Sequence, residues 1–250
     1  MDTQAIIETK ELTKVYTGET AVDRLSFAVE AGEIFGFLGP NGAGKTTTLM
    51  MLLGLTEPSS GTAKVLGLDP TRDPIKVKSK IGYLQENMGF YPDLNAVQML
   101  RFIADLNGIF GSEAGDRIQS ALESVGLAAE WKKKIGAYSR GMRQRLGLAE
   151  LLIKDSRVAF LDEPTLGLDP DATNRMMDLI ETLSSEKKMT ILLSSHMLQQ
   201  VQKICHRVGI MIKGRMVAQG PMDRLAREKL GIGQERYSLE EVYMKYFQEA

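Results

Sequence analysis

Gly39-Pro-Asn-Gly-Ala-Gly44-Lys45-Thr46-Thr47 is a stretch whose residue types and spacing dictate a chemistry. Its glycines permit positive φ and leave backbone N–H groups unobstructed. It follows an apolar strand-like run, Ile34-Phe-Gly-Phe-Leu38, and opens onto a helical pattern. In that context the N–H groups form a nest for phosphates at the positive end of a helix dipole. Gly39, Asn41, Gly42, Ala43, Gly44, Lys45, Thr46 and Thr47 are therefore the expected phosphate contacts. Lys45 would reach the β- and γ-phosphates, and the Thr46 hydroxyl would ligate Mg²⁺. A second apolar run, Val158-Ala-Phe-Leu-Asp162, ends in a carboxylate expected at the carboxyl edge of a sheet, near that metal. Glu163 follows at once and is placed to act as the general base that deprotonates an attacking water.

These groups need a sheet to carry them. Runs rich in Val, Ile and Phe at 6–12, 25–29, 33–38, 80–84, 158–161, 189–193 and 207–212 read as strands, and the later ones alternate with helical patterns. That alternation predicts a buried, largely parallel sheet flanked by helices. Asp169-Pro170 reads as a cap and first-turn proline, with Met176, Leu179, Ile180 and Leu183 following at helical spacing. Ser238-Leu-Glu-Glu241 reads as a capping box opening a short amphipathic helix, and Glu57-Pro-Ser-Ser-Gly61 as a turn. Between residues 87 and 154 the strand signal fades and helical periodicity takes over. The expected organisation is a discontinuous α/β core of 1–86 and 155–220, a helical subdomain of 87–154 inserted into it, and a helical tail of 221–250.

Composition narrows the partners. Lys and Arg number 31, Asp and Glu 32, for a formal net charge of -1, which speaks against a nucleic-acid binder working through bulk charge. The single cysteine, Cys205, allows no internal disulfide, suggests a reducing compartment and lies in an apolar-periodic stretch, where it reads as a small core residue. The first ten residues do not read as a signal peptide, and no run approaches the roughly 18 apolar residues of a membrane-spanning helix. The chain is expected to be soluble by itself and to reach a membrane only through a partner.

With these motifs in this order, nearly the whole chain resembles the nucleotide-binding subunit of an ABC (ATP-binding cassette) transporter. The resemblance implies a P-loop NTPase core, with a small antiparallel β region near the N-terminus and the inserted helical subdomain. It implies ATP and Mg²⁺ as cofactors and ATPase activity coupled to transport. Residue by residue, Tyr16 matches the aromatic that stacks on adenine. Gln85 matches the glutamine that contacts Mg²⁺ or the attacking water and reports nucleotide state to a partner. Asp169 matches the aspartate at the dimer seam, and His196 the histidine that holds the γ-phosphate. Lys45 and Glu163 complete the implied catalytic set, and Thr46, Gln85 and Asp162 the metal set. His206 matches no role and reads as surface.

The stretch Tyr138-Ser-Arg-Gly-Met142 matches the family signature, commonly Leu-Ser-Gly-Gly-Gln. The resemblance implies that Ser139 and Gly141 cross a head-to-tail dimer, as a homodimer or pseudo-symmetric heterodimer, and close over ATP held by the other chain. Arg140 departs from the pattern: it disfavours positive φ there and adds a cation near the γ-phosphate. Arg143 and Arg145 read as solvated helix residues, and Lys132 to Lys134 as a wet surface. Partners implied are a second nucleotide-binding subunit and an integral membrane permease, with no nucleic acid. The location implied is the cytoplasmic face of the membrane, with the permease docking near Met88 to Leu100. Val65-Leu-Gly-Leu-Asp-Pro70, the arginine-rich run at 138–145, the closing Ser-Leu-Glu-Glu-Val-Tyr and the short stretch after Pro221 resemble the exporter branch that pairs with a separate six-helix permease. Two other ATPase classes fit less well. One needs a very long coiled coil between its half-motifs, the other two cassettes in one chain. A partner that binds ATP without turnover is argued against by Glu163 and His196, while Arg140 keeps that alternative open.

Overall fold

The structure is a computed structural model that describes residues 5–86, 88–230 and 238–249. Two sheets organise the described residues. The larger has six strands in the order β5-β6-β7-β3-β8-β9, formed by Ile81–Leu84, Val158–Asp162, Thr190–Ser195, Ile34–Leu38, Arg207–Ile212 and Arg215–Gly220. Its first five strands run parallel and β9 pairs antiparallel to β8. The smaller sheet, β2-β1-β4, is antiparallel and built from Glu19–Glu30, Ala5–Tyr16 and Ser60–Val65. The chain is thus an α/β fold with a largely parallel sheet and a small antiparallel sheet near the N-terminus. Strands β4 and β9 carry no strong apolar run and were not expected. The turn expected at 57–61 is cut short, because Ser60 and Gly61 already belong to β4.

Alternation along β3 shows why both faces are covered. Phe35 and Phe37 point into the core shared with the small sheet, where both stack on Phe27 at centroid distances of 5.7 and 5.5 Å. Ile34 and Leu38 join the core on the other face, which the helices cover. A strand buried on both sides has no polar face to keep, and every residue of β3, β6 and β7 is buried.

Helices α3 (Ala96–Leu106), α4 (Gly111–Ser124) and α5 (Arg140–Ile153) occupy the segment between β5 and β6. Their apolar faces, among them Leu100, Ile118 and Leu148, belong to the same core cluster as Leu161 and Leu193 of the sheet. Asn95 and Gln98 close a reciprocal capping box at the start of α3. Helix α6 (Pro170–Lys187) starts where sequence placed it, with the Asp169 carboxylate accepting from Ala172 N at 2.9 Å. The Ser238–Glu241 box also forms, opening α9 (Leu239–Glu249). Cys205 is buried in the core, and burial pushes its thiol well up from the ordinary value. His206 lies at the surface, but its Nδ1 accepts from the backbone N–H of Ile34 at 3.0 Å, so the ring has a structural bond.

One core carboxyl gives a stability prediction. Burial pushes Glu150, on α5, up from 4.5 to about 7, against the opposing pull of Lys154 one turn on. Its Oε1 has no hydrogen-bond partner. Below pH 4.5 the group is protonated folded and unfolded, and there is no penalty. As pH rises toward 7 only the unfolded chain ionises freely, so stability falls and the loss is complete above pH 7. At about 1.36 kcal/mol per pH unit, that gap amounts to about 3 kcal/mol. Glu150→Gln is expected to melt higher than the parent at pH 8 and by less than a third of that margin at pH 5, measured by thermal denaturation at both pH values.

Candidate active site

The loop between β3 and α1 (Lys45–Leu52) is shaped by its glycines. Gly44 has φ 100° and a Cβ there would land on the Ala21 carbonyl, so no other residue fits. Gly42 also has positive φ, 79°. Lys45 begins α1 and is buried, its Nζ donating to the carbonyls of Gly39 at 2.7 Å and Pro40 at 3.2 Å. Burial lowers its ammonium from the ordinary value, while Glu163 and Asp162 oppose that. The lysine curls back on its own loop, holding the charge at the place where phosphates would lie.

Asp162 ends β6 beside this loop. Its Oδ2 accepts from the Thr46 hydroxyl at 3.0 Å, and its Oδ1 from the Ser194 hydroxyl on β7. The Tyr83 hydroxyl on β5 also donates to it. Burial, then the Asp162 charge, pushes the Tyr83 phenol up to about 12, so the donor keeps its proton. Parallel pairing sets this up: Asp162 stands opposite Ser194 in the β6–β7 register. A hydroxyl and a carboxylate in direct contact are the hard oxygen donors that Mg²⁺ takes, so the residues fit that ion.

Glu163 is held in a left-handed conformation, φ 50°, with its N–H donating to Ser194 O at 3.1 Å. A non-glycine residue in that region is strained, and the strain aims the side chain. Its Oε2 meets His196 Nδ1 at 2.9 Å, and its Oε1 lies 3.8 Å from Lys45 Nζ. That Oε1 is buried and makes no hydrogen bond. A buried carboxylate oxygen without a hydrogen-bond partner is free to accept a hydrogen bond from a water.

A cavity of about 550 Å³ collects this chemistry. It is lined by Asn41 to Thr47, Asp162 and Glu163, together with Glu19, Thr20 and Ala21 of β2, Glu86, and Lys213-Gly214 of the β8–β9 turn. Of the expected site residues, Tyr16, Gly39, Gln85, Ser139, Gly141, Asp169 and His196 do not line it. Tyr16 is exposed at the end of β1 with Lys14 Nζ 4.8 Å from its ring centroid. Gln85 is exposed just past β5, and His196 reaches the site only through Glu163. Ser194, Tyr83, Lys213 and the start of β2 were missed from sequence. Ser194 lies two residues before His196 in sequence, but only strand register reveals its partner.

Ser139 is the N-cap of α5, its hydroxyl accepting from Met142 N at 3.2 Å. Arg140 occupies the first helical position, so this site requires no positive φ and the substitution causes no backbone strain. The Arg140 guanidinium packs within its own chain. It lies against Gly167 of the same chain, where a Cβ would come within 2.6 Å of Nη1. The expectation that Arg143 and Arg145 are solvated does not hold. Arg143 Nη1 donates to Tyr138 O at 2.6 Å, and Arg145 Nη1 to Val125 O and Gly126 O at 3.1 and 2.9 Å. Both guanidiniums satisfy backbone carbonyls that would otherwise be left without donors where the helices meet.

A family model described as "ABC transporter" matches residues 22–166, which spans the phosphate loop, the signature stretch and Glu163. The bacitracin transport ATP-binding protein BcrA of Bacillus licheniformis is 42% identical over 222 residues, covering 89% of this chain and 72% of that protein. The chain belongs to the ABC transporter ATP-binding family. Among solved structures, an ATP-binding subunit of an ABC transporter superposes with TM-score 0.85 at 28% identity, covering 97% of this chain and 99% of its own. A dimeric ATP-binding cassette in a post-hydrolysis state with ADP and Pi shares the fold at TM-score 0.78 and 21% identity, covering 86% and 98%. This ABC chain is an ATPase, a nucleotide-binding subunit that serves transport. Among the described residues no helix is long and apolar enough to cross a membrane.

Proposed function

We propose that two copies of this chain, or this chain and a pseudo-symmetric partner, clamp ATP head to tail and drive export through a separate membrane permease. The observation that carries the reading is an incomplete cavity. Lys45, Thr46, Asp162 and Glu163 converge on one space, while the donors of Ser139 and Gly141 lie outside it. A helix N-terminus with a serine cap suits a γ-phosphate, and a facing copy would bring it there. Adenine stacks on the exposed Tyr16 face. Asn41 to Thr47 hold the phosphates, and Thr46 and Asp162 hold Mg²⁺ with Gln85 nearby. Bound there, Mg²⁺ would supply positive charge to offset that of the phosphates. Glu163 accepts the proton of the attacking water, with His196 fixing its far oxygen and touching the γ-phosphate. Asp169 caps α6 at the dimer seam. Loss of the γ-phosphate removes the shared anion, and the pair opens.

The permease would dock beside Gln85. Tyr91 is 56% exposed there and meets Phe102 edge-on at 6.0 Å, an uncovered aromatic pair that suits a cytoplasmic helix. Phe90 and Leu94 are half-buried against the core and contribute less to that surface. Docking would hold the chain at the cytoplasmic face of the membrane. The relative named for bacitracin transport supports a transport role.

Mixing two inactive variants tests the clamp. Lys45→Met breaks the phosphate loop and Ser139→Ala the capping edge. In a head-to-tail pair the mixed dimer regains one intact site, so an equimolar mixture is expected to hydrolyse ATP well above either variant alone. If Ser139 serves its own chain's ATP, mixing restores nothing and the reading falls.

A further inference from the structure

Helix α5 carries a glycine at a place where helices avoid one. Gly147 is buried at the eighth position of a 14-residue helix, where glycine costs about 1 kcal/mol relative to alanine. Space explains it. A Cβ on Gly147 would land on Met88 Cε and Sδ and on Leu84 Cδ1. One turn earlier, Gln144 Nε2 lies 3.5 Å from the Glu86 carbonyl, while its buried Oε1 has no partner. The contact recurs at the other end of the strand, where a Cβ on Gly82 would land on Leu151. Leu84, Glu86 and Met88 flank Gln85, so the segment leaving β5 is keyed into the helix that Ser139 caps.

We infer that Met88, seated in the Gly147 notch, is a positioning residue that fixes the Ser139/Gly141 edge relative to the segment around Gln85. The inference rests on the proposed clamp. Gly147 lies eight residues from Ser139, about 12 Å along a rigid helix. A shift of Met88 is therefore delivered to the capping edge rather than absorbed. A cavity of about 180 Å³ lined by Glu86, Met88, Arg140, Arg143 and Gln144 adjoins the joint. Met88 is suited to such a contact, since an unbranched thioether fills a notch and can leave it without strain.

The test uses the full chain. Met88→Ala is expected to lower kcat for ATP and to weaken ATP-dependent dimerisation of the Glu163→Gln background by about tenfold, the size of a coupling between packed neighbours. ADP affinity of the monomer should stay within about twofold, because the phosphate loop is untouched. Met88→Leu should restore both properties, and Gly147→Ala combined with Met88→Ala should recover more dimer than Met88→Ala alone. A Met88→Ala protein that dimerises like its parent, or one that Met88→Leu does not restore, overturns the joint while leaving the clamp standing. If Glu163→Gln alone forms no dimer with Mg-ATP, the clamp fails and the joint falls with it.

Discussion

Glu163→Gln is expected to lower ATP turnover by about 10²- to 10⁴-fold, the range that loss of a general base produces. Geometry gives the reason. Oε1 is buried, has no hydrogen bond and stands 3.8 Å from the Lys45 ammonium, while Oε2 is fixed by His196 at 2.9 Å. One oxygen is anchored by His196, and the other has no hydrogen-bond partner among the described residues. An amide fits the same space and keeps one acceptor oxygen, so the fold and the phosphate loop remain. It takes no proton, however, and its NH₂ would face either His196 or Lys45, each a donor where the carboxylate accepted. Nucleotide affinity should hold or rise, because one negative charge beside the phosphates is gone. Single-turnover hydrolysis together with equilibrium nucleotide binding measures both. Turnover within about threefold of the parent would remove Glu163 from the role of base.

The phosphate loop was legible because it depends on backbone. Glycine spacing, a strand before it and a helix after it constrain the chain locally, and Gly42, Gly44 and Lys45 stand as that pattern requires. Asp162 and Glu163 were legible for a similar reason: an apolar run ending in acids marks the carboxyl edge of a parallel strand. The partners of those acids were not. Ser194 and Tyr83 reach Asp162 from β7 and β5, and only the lateral order β5-β6-β7 makes them neighbours. Strand order is a long-range property, and no local periodicity encodes it. Strand β4 was missed because Ser-Gly-Thr-Ala-Lys-Val alternates weakly, with only Ala63 and Val65 buried. The arginines of the signature helix misled in the other direction. Charge on a helix face usually signals water, but Arg143 and Arg145 spend theirs on the carbonyls of Tyr138, Val125 and Gly126. Arg140 shows the same limit. Its place at the first turn of α5 makes helical φ the natural state, a fact that depends on where the helix begins.

Lys45→Met is expected to weaken ATP binding by about 10- to 100-fold, since a hydrogen bond to a charged group contributes roughly 1.5–3 kcal/mol. Hydrolysis should fall further, by about 10²–10³ beyond the binding loss, as when one preorganised donor is removed from a developing charge. Methionine preserves the length of the stem and packs in the same buried position, so the experiment removes charge rather than volume. Two opposing changes act on the empty protein. Losing a buried ammonium relieves its desolvation, which already lowers the Lys45 pKa. The Gly39 and Pro40 carbonyls lose their donor, and Glu163 loses its neighbouring cation. The melting temperature without nucleotide should therefore change little, whereas the rise in melting temperature on adding ATP should shrink sharply. An unchanged ATP-induced rise would mean that the lysine stays on its own loop when nucleotide binds, and that the backbone nest alone holds the phosphates.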